Sequence, residues 1–246
     1  MNKNMNITQQ MNELKLLGML SQWKVFTHTK EHLNIHIADA MTLLLHAEKE
    51  NRSIRRTQRL IHQAQFRYTA SIEQIDFTTP RSLDKALLLS LADGSFITQG
   101  KSILITGPTG VGKSFIASAL GHQACLLGYT TLYYNIQKLL TKMKLAKVDG
   151  SIIKLQKALY KKELLILDDF GLQSLNDRQR IDYFELLEER HGRKSTIFIS
   201  QMPAHEWFSI IGDNTIADAI VDRVIHQSIK INLDGESMRK TKKNQR

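Results

Sequence analysis

Cysteine is almost absent from this chain of 246 residues, in which Cys125 is the single thiol. One cysteine excludes an intrachain disulfide framework and argues against a zinc site built from cysteines. Long apolar runs are lacking as well: none approaches the ~20 residues of a membrane-spanning helix, and no apolar signal core stands near the N-terminus. These absences predict a soluble, cytoplasmic protein.

Negative charge is also in short supply, because 34 Lys and Arg outnumber 24 Asp and Glu and leave a net charge of +10. The excess is clustered. Between Lys138 and Lys162 the chain has eight lysines and one acidic residue, Asp149, and the tail over residues 235–246 is basic again. Clustered positive charge is typical of a nucleic-acid-binding surface, although a merely basic soluble protein can carry the same net charge.

Proline is missing from the first 70 residues, where Gly18 is the one glycine. Apolar residues recur there at helical spacing, so we predict a small all-helical domain over residues 1–72. Asp39 is expected to cap its long second helix, which should reach about Phe66.

Four arginines of that second helix are spaced so that they share one face. They are Arg52, Arg55, Arg56 and Arg59. We interpret them as a ridge that contacts DNA phosphates; a solvated face, partly neutralised by Glu48, is the alternative. Within the lysine cluster, Lys142, Lys144 and Lys147 are further candidate DNA contacts.

Short strands and helices alternate from residue 101 onward, which predicts an α/β domain over residues 73–234 with a parallel sheet. Ligands of such domains bind at the carboxyl ends of the strands. Before it, Pro80 marks a linker, and Ser82 is expected to cap a short helix from Leu83 to Leu91. The strands are predicted at Ser102–Thr106, Thr130–Tyr134, Glu163–Leu167, Ser195–Ser200 and Ser228–Leu233.

Residues 107–114 read GPTGVGKS and match the phosphate-loop motif G-x-x-x-x-G-K-[ST] between a strand and a helix. Glycines let the backbone N–H groups point at phosphates, Lys113 reaches the β- and γ-phosphates, and the Ser114 hydroxyl ligates Mg²⁺. We therefore predict that the chain binds ATP or GTP. The predicted binding residues are Gly107, Pro108, Thr109, Gly110, Val111, Gly112, Lys113, Ser114 and Phe115.

Two adjacent carboxylates follow the apolar residues 164–167. Asp168 is expected to hold Mg²⁺ together with Ser114, and Asp169 to orient the attacking water. Gln201, at the end of the next strand, is a candidate sensor of the γ-phosphate, with Ser200 as the second choice.

Arg223 lies in a predicted helix, Ile216–Val224, that offers it no carboxylate three or four residues away. Its partner must therefore come from elsewhere, either the γ-phosphate bound by a neighbouring subunit or a structural ion pair. With this residue the predicted catalytic set comprises Lys113, Asp168, Asp169, Gln201 and Arg223.

Five segments together resemble the IstB-type ATPases, which are helpers of insertion-sequence transposition related to DnaC-type helicase loaders. The segments are GPTGVGKS (107–114), LLILDDFGL (164–172), FISQMPAHEW (198–207), ADAIVDRVIH (217–226) and GESMRK (235–240). The resemblance implies an AAA+ fold with strand order 5-1-4-3-2. It also implies that Arg223 is an arginine finger, that Arg239 is a second basic sensor, and that residues 1–72 engage DNA or a partner. Only a basic tail, residues 235–246, follows the ATPase domain, so we expect no C-terminal lid domain.

The resemblance further implies a homo-oligomer that forms on duplex DNA with ATP and recruits or activates a cognate transposase. Asp169 stands where AAA+ ATPases usually have Glu, which predicts slow hydrolysis. A replicative helicase loader of the DnaC type and an ATP-binding adaptor with negligible hydrolysis are the alternatives. A small-molecule kinase is a further alternative, in which the lysines of residues 138–162 would form a lid over the phosphates.

Overall fold

The computed structural model describes residues 3–29, 35–203, 206–226 and 228–238. Internal contacts divide the chain into two compact units, Met1–Arg59 and Leu60–Arg246. This division lies before residue 72, where the sequence suggested a domain boundary. Among the described helices, none is both long and apolar enough to cross a lipid bilayer.

The first unit is built from helices α1 (Lys3–Glu13), α2 (Leu17–Thr29) and the beginning of α3 (Ile37–Ala64). Gly18 allows α2 and α3 to cross closely, because a Cβ at this position would lie 2.3 Å from the Ala47 carbonyl oxygen. The Gly18 N–H donates to the buried Glu48 carboxylate at 2.8 Å. The buried apolar side chains of this unit are Met11, Met19, Leu20, Phe26 and Leu44.

Contrary to the prediction from the sequence, Asp39 is not the N-cap of α3. The helix begins at Ile37, so Asp39 lies inside its first turn, where a carboxylate interacts favourably with the helix dipole. Glu48 of this helix also accepts a 2.7 Å hydrogen bond from Arg52 Nε. Burial opposes ionisation of Glu48, but hydrogen bonds from Arg52 and from the Met19 and Gly18 N–H groups outweigh it and lower its pKa.

The second unit begins with a connecting segment that includes a 3-10 turn over Ile72–Gln74 and two short helices, α4 (Lys85–Leu91) and α5 (Ser95–Thr98). Asp84, not Ser82, caps α4, since its carboxylate accepts the Leu87 N–H at 3.1 Å. Ser82 has a left-handed φ of 56° and its hydroxyl donates to Asp234 instead.

A five-stranded parallel sheet forms the rest of this unit, with neighbouring strands in the order β2-β3-β4-β1-β5. Counted from the other edge this order is 5-1-4-3-2, which confirms the predicted AAA+ topology. The strands are β1 (Ser102–Thr106), β2 (Thr131–Asn135), β3 (Leu164–Phe170), β4 (Ser195–Ser200) and β5 (Ser228–Asn232). The helices between them are α6 (Lys113–Leu126), α7 (Ile136–Val148), α8 (Ile152–Tyr160), α9 (Asp177–Arg190), α10 (Trp207–Ile211) and α11 (Asn214–Val221).

Successive strand residues point to opposite sides of the sheet, and both sides are covered. Ile103, Ile105 and Ile166 belong to one buried cluster, whereas Leu104 and Leu165 belong to a second cluster on the opposite face. This packing explains why residues 164–167 of β3 are all apolar and buried. Asn135 pairs in register with Asp168, and Thr106 pairs with Ser200.

The chain after β5 returns to the phosphate loop. Within the described residues up to Met238 it forms no helical lid domain. Arg239 and the rest of the predicted basic tail lie outside the described residues.

Candidate nucleotide site

The phosphate loop joins β1 to α6 at the carboxyl edge of the sheet. Gly107, Gly110 and Gly112 have φ values of 141°, 90° and 101°, in the left-handed region that favours glycine. Gly112 is the N-cap of α6, so the loop meets the positive end of that helix dipole.

Lys113 is buried, and its ammonium donates to the carbonyl oxygens of Gly107 at 2.6 Å and Pro108 at 2.7 Å. Burial lowers its pKa, against the opposing charges of Asp168 and Asp169. The ammonium thus lies against the phosphate loop, where it is predicted to bind the β- and γ-phosphates.

Two further segments hold the loop in shape. The Arg81 guanidinium donates to the Val111 carbonyl at 2.9 Å, and the Met238 N–H donates to the Gly110 carbonyl at 3.0 Å. A Cβ at Gly110 would lie 2.0 Å from Ser237 Oγ, and one at Gly112 would lie 2.5 Å from Arg81 Nη1. The glycines therefore also make room for these neighbours.

The two aspartates lie near the carboxyl end of β3 in different environments. Asp168 is buried, and one of its oxygens accepts the Asp169 N–H at 2.8 Å. Asp169 has a left-handed φ of 63° at an irregularity in the β3–β4 pairing, and its carboxylate accepts from Asn135 Nδ2 at 2.9 Å. Both carboxylates also accept from Arg67 Nη1, at 3.1 Å for Asp168 and 3.0 Å for Asp169.

Tyr133 connects Asp168 to the phosphate loop. Its hydroxyl donates to the Asp168 carboxylate and lies beside the Ser114 hydroxyl. Burial raises the pKa of this phenol, and the Asp168 charge raises it further, so the hydroxyl stays a donor.

These residues fit a magnesium ion. The Ser114 hydroxyl and the Asp168 carboxylate share Tyr133 as a neighbour and offer the hard oxygen atoms that Mg²⁺ prefers. Among the described residues, no group of three or more His, Cys, Asp or Glu is arranged to hold a metal ion. An ion here would therefore depend on phosphate oxygens and water for its remaining ligands.

Gln201 meets the phosphate loop, because its Oε1 accepts from Thr109 Oγ1 at 2.5 Å. Ser200 is buried; its hydroxyl donates to the Phe170 carbonyl at 3.0 Å and accepts the Met202 N–H. The geometry thus favours Gln201 over Ser200 as the polar group available at this edge.

A cavity of about 680 Å³ opens in front of the loop. It is lined by Lys113, Ser114, Asp169 and Gln201 from the predicted set, and by Arg67, Tyr68 and Arg81, which sequence reasoning missed. Its volume lies within the usual range for small-molecule sites. The ring centroids of Tyr68 and Phe115 are 6.2 Å apart, which gives this cavity an aromatic as well as a charged wall.

Arg223 is not among the residues that line this cavity. It lies in a π-type turn, Asp222–His226, that continues α11, and not in a regular helix to Val224 as predicted. Its Nη2 pairs with Glu188 Oε2 of α9 at 2.6 Å, and its guanidinium stands 5.1 Å from the centre of the Phe184 ring. The structure thus supplies the intrachain ion pair that the sequence left open as an alternative.

The predicted DNA contacts differ in their surroundings. Arg55, Arg56, Arg59 and Lys144 are exposed. Three others have partners within the chain: Arg52 pairs with Glu48, Lys142 Nζ contacts Tyr134 at its hydroxyl and its ring, and Lys147 pairs with the buried Asp182. A structural role therefore competes with DNA binding at Lys147 in particular, because the buried carboxylate needs a counter-charge.

Known proteins share this architecture. A family model described as IstB-like ATP binding protein matches residues 9–246. A protein of Sinorhizobium fredii, named as an insertion sequence ATP-binding protein, is 40% identical over 233 residues, 95% of this chain and 95% of its own length. The crystal structure of the DnaC helicase loader has a TM-score of 0.51 at 21% identity, over 60% of this chain and 88% of that one. AMPPCP-bound DnaA from Aquifex aeolicus has a TM-score of 0.54 at 21% identity, covering 69% and 57%.

Proposed function

Because this chain belongs to the family of IstB-like ATP-binding proteins, we propose that it is an ATP-dependent DNA-binding helper of insertion-sequence transposition. One observation carries the proposal. The phosphate loop, Asp169 of β3 and Gln201 directly after β4 line one cavity at the carboxyl edge of an AAA+ sheet, in a chain of net charge +10.

Each residue of the proposed catalytic and magnesium-binding set has a distinct task. Lys113 leaves the loop carbonyls and binds the β- and γ-phosphates. Ser114 and Asp168 would hold Mg²⁺, which neutralises phosphate charge when it is bound. Asp169, fixed by Asn135, orients the attacking water, and Gln201 contacts the γ-phosphate.

Hydrolysis is expected to be slow. Asp169 is shorter than the glutamate that AAA+ ATPases usually have here, and Asn135 holds its carboxylate. A carboxylate held back from the phosphate aligns water poorly, which suits a timing switch better than a fast motor.

Arg223 links nucleotide to assembly. Its partner Glu188 has a side chain that is 52% exposed, against 24% for Arg223, so the carboxylate of the pair is accessible to solvent, which weakens an ion pair. In an oligomer the guanidinium can exchange Glu188 for the γ-phosphate bound by a neighbouring subunit, which is a stronger charge-assisted partner.

Exposed arginines of α3 then contact the DNA backbone without reading its sequence. The assembled helper remodels its DNA target and recruits or activates the transposase. Duplex DNA, a second copy of the chain and a transposase are thus the proposed partners.

This function predicts nucleotide-dependent DNA binding. The measurement is fluorescence anisotropy of a labelled random duplex with a non-hydrolysable ATP analogue, with ADP and without nucleotide, over a series of salt concentrations. We expect the protein to bind the duplex tightly with the ATP analogue, but not with ADP or without nucleotide. Arg55→Ala, Arg56→Ala and Arg59→Ala should each reduce the slope of log affinity against log salt by about 1.

Arg178→Ala is the matched control, because Arg178 is an exposed arginine on α9. Its salt slope should equal that of the wild type. Affinity that is indifferent to nucleotide, with slopes unchanged in all four variants, would refute DNA binding by this ridge.

A further inference from the structure

Arg67 occupies an unexpected position in the nucleotide cavity. It follows Ala64, the last residue of α3, by three positions and precedes the sheet, in a stretch with no recognisable motif. Its Nη1 nevertheless donates to both carboxylates at the end of β3, at 3.1 Å and 3.0 Å. The side chain is 41% exposed and lines the same cavity as Lys113 and Ser114.

Arg67 supplies the positive charge that the aspartates require. The Asp168 side chain is only 1% exposed, and a buried carboxylate is costly without a counter-charge. Lys113 does not serve this purpose through hydrogen bonds to the aspartates, because its ammonium donates to Gly107 and Pro108. Burial disfavours the charged form of Arg67, but Asp168 and Asp169 outweigh burial and raise its pKa.

Binding of Mg²⁺ with a nucleoside triphosphate would give the aspartates another counter-charge, so they would no longer need Arg67. Asp168 would then face a divalent cation instead of Arg67, while new negative charge would enter the cavity that the guanidinium lines. A guanidinium forms strong, often bidentate hydrogen bonds with phosphate, so it has a better partner in the same cavity. Its partial exposure leaves room for the side chain to turn.

We propose that Arg67 is a γ-phosphate-binding residue, which exchanges the two aspartates for the terminal phosphate when Mg²⁺ and ATP bind in its own chain. The inference rests on the proposed function, since it requires a triphosphate in this cavity. It adds a phosphate contact from the segment directly after α3, the helix that carries the arginine ridge. The residue that contacts the terminal phosphate thus lies three positions after the end of α3, the proposed DNA-binding helix.

The test compares affinities for a non-hydrolysable ATP analogue and for ADP, both with Mg²⁺, by isothermal titration calorimetry. In Arg67→Gln we expect the affinity for the ATP analogue to fall about tenfold, while ADP binding changes less than about twofold. Arg67→Lys should keep part of the preference for triphosphate, because it retains the charge but loses the planar fork.

Arg178→Gln is the control for loss of an exposed arginine, and circular dichroism verifies that each variant is folded. The inference is overturned if Arg67→Gln leaves the ratio of the two affinities unchanged, or if both nucleotides bind more tightly. Arg67 would then be only a counter-ion that Mg²⁺ displaces. Failure of the wild-type chain to bind either nucleotide would instead refute the proposed function, and this inference with it.

Discussion

Lys113→Ala is expected to weaken ATP binding at least about a hundredfold, as the loss of two charge-assisted hydrogen bonds to phosphate predicts. The substitution removes the buried ammonium that the loop holds at 2.6 Å and 2.7 Å from two of its carbonyls. The fold should survive, because Arg81 and Met238 hold the loop independently. Calorimetric titration with ATP and Mg²⁺ measures the affinity, and circular dichroism measures the fold.

Lys101→Ala is the control, since Lys101 is exposed at the opposite end of β1. It should bind ATP as the wild type does. Equal affinities in the wild type and in folded Lys113→Ala would mean that ATP does not bind through the phosphate loop.

Asp169→Asn is expected to lower the rate of ATP turnover about a hundredfold or more, the usual contribution of a general base, and to leave ATP affinity nearly unchanged. Asn matches Asp in size and tolerates the left-handed φ of 63° at this position, so the substitution removes charge and little else. Phosphate release with and without duplex DNA measures the turnover.

Unchanged turnover in Asp169→Asn would favour the ATP-binding adaptor, in which hydrolysis has no role. Asp169→Glu is an informative companion. Although it restores the usual AAA+ residue, the longer side chain fits a left-handed backbone less well than Asp does. We therefore expect no gain in turnover and a slightly lower melting temperature. The left-handed backbone at residue 169 thus gives a physical reason why aspartate stands here instead of glutamate.

The sheet and the phosphate loop were predictable because their signals are local. Strands β1 and β3 contain apolar runs, residues 103–105 and 164–167, and the carboxyl ends of parallel strands meet at one edge. That reasoning placed Lys113, Asp169 and Gln201 around one cavity. It could also have found Asn135, which ends β2 beside Asp168 in register.

Other parts of the site could not be predicted, because they depend on contacts between distant segments. Arg67 and Arg81 come from the connection before the sheet, and Met238 comes from the segment after it. Their sequence surroundings give no periodic signal. Arg223 likewise finds Glu188 on another helix, which its own helical neighbours do not reveal.

The exact residue at which a helix begins is also difficult to predict from the sequence. Ser82 and Asp84 are both good capping residues, and the sequence alone does not distinguish them. The structure selects Asp84, because the chain at Ser82 turns left-handed to bring its hydroxyl to Asp234.

We propose that ATP controls assembly of the protein on DNA through Arg223. Light scattering after size separation tests it most directly, with duplex DNA and the ATP analogue, ADP or no nucleotide, for wild type, Arg223→Ala and Glu188→Ala. With duplex DNA, we expect wild-type protein to form large complexes only when the ATP analogue is present. These complexes should be lost in Arg223→Ala. They should be retained in Glu188→Ala, because that substitution leaves the Arg223 guanidinium free to bind the γ-phosphate. A monomer under all conditions, or equal loss in both variants, would contradict the proposal.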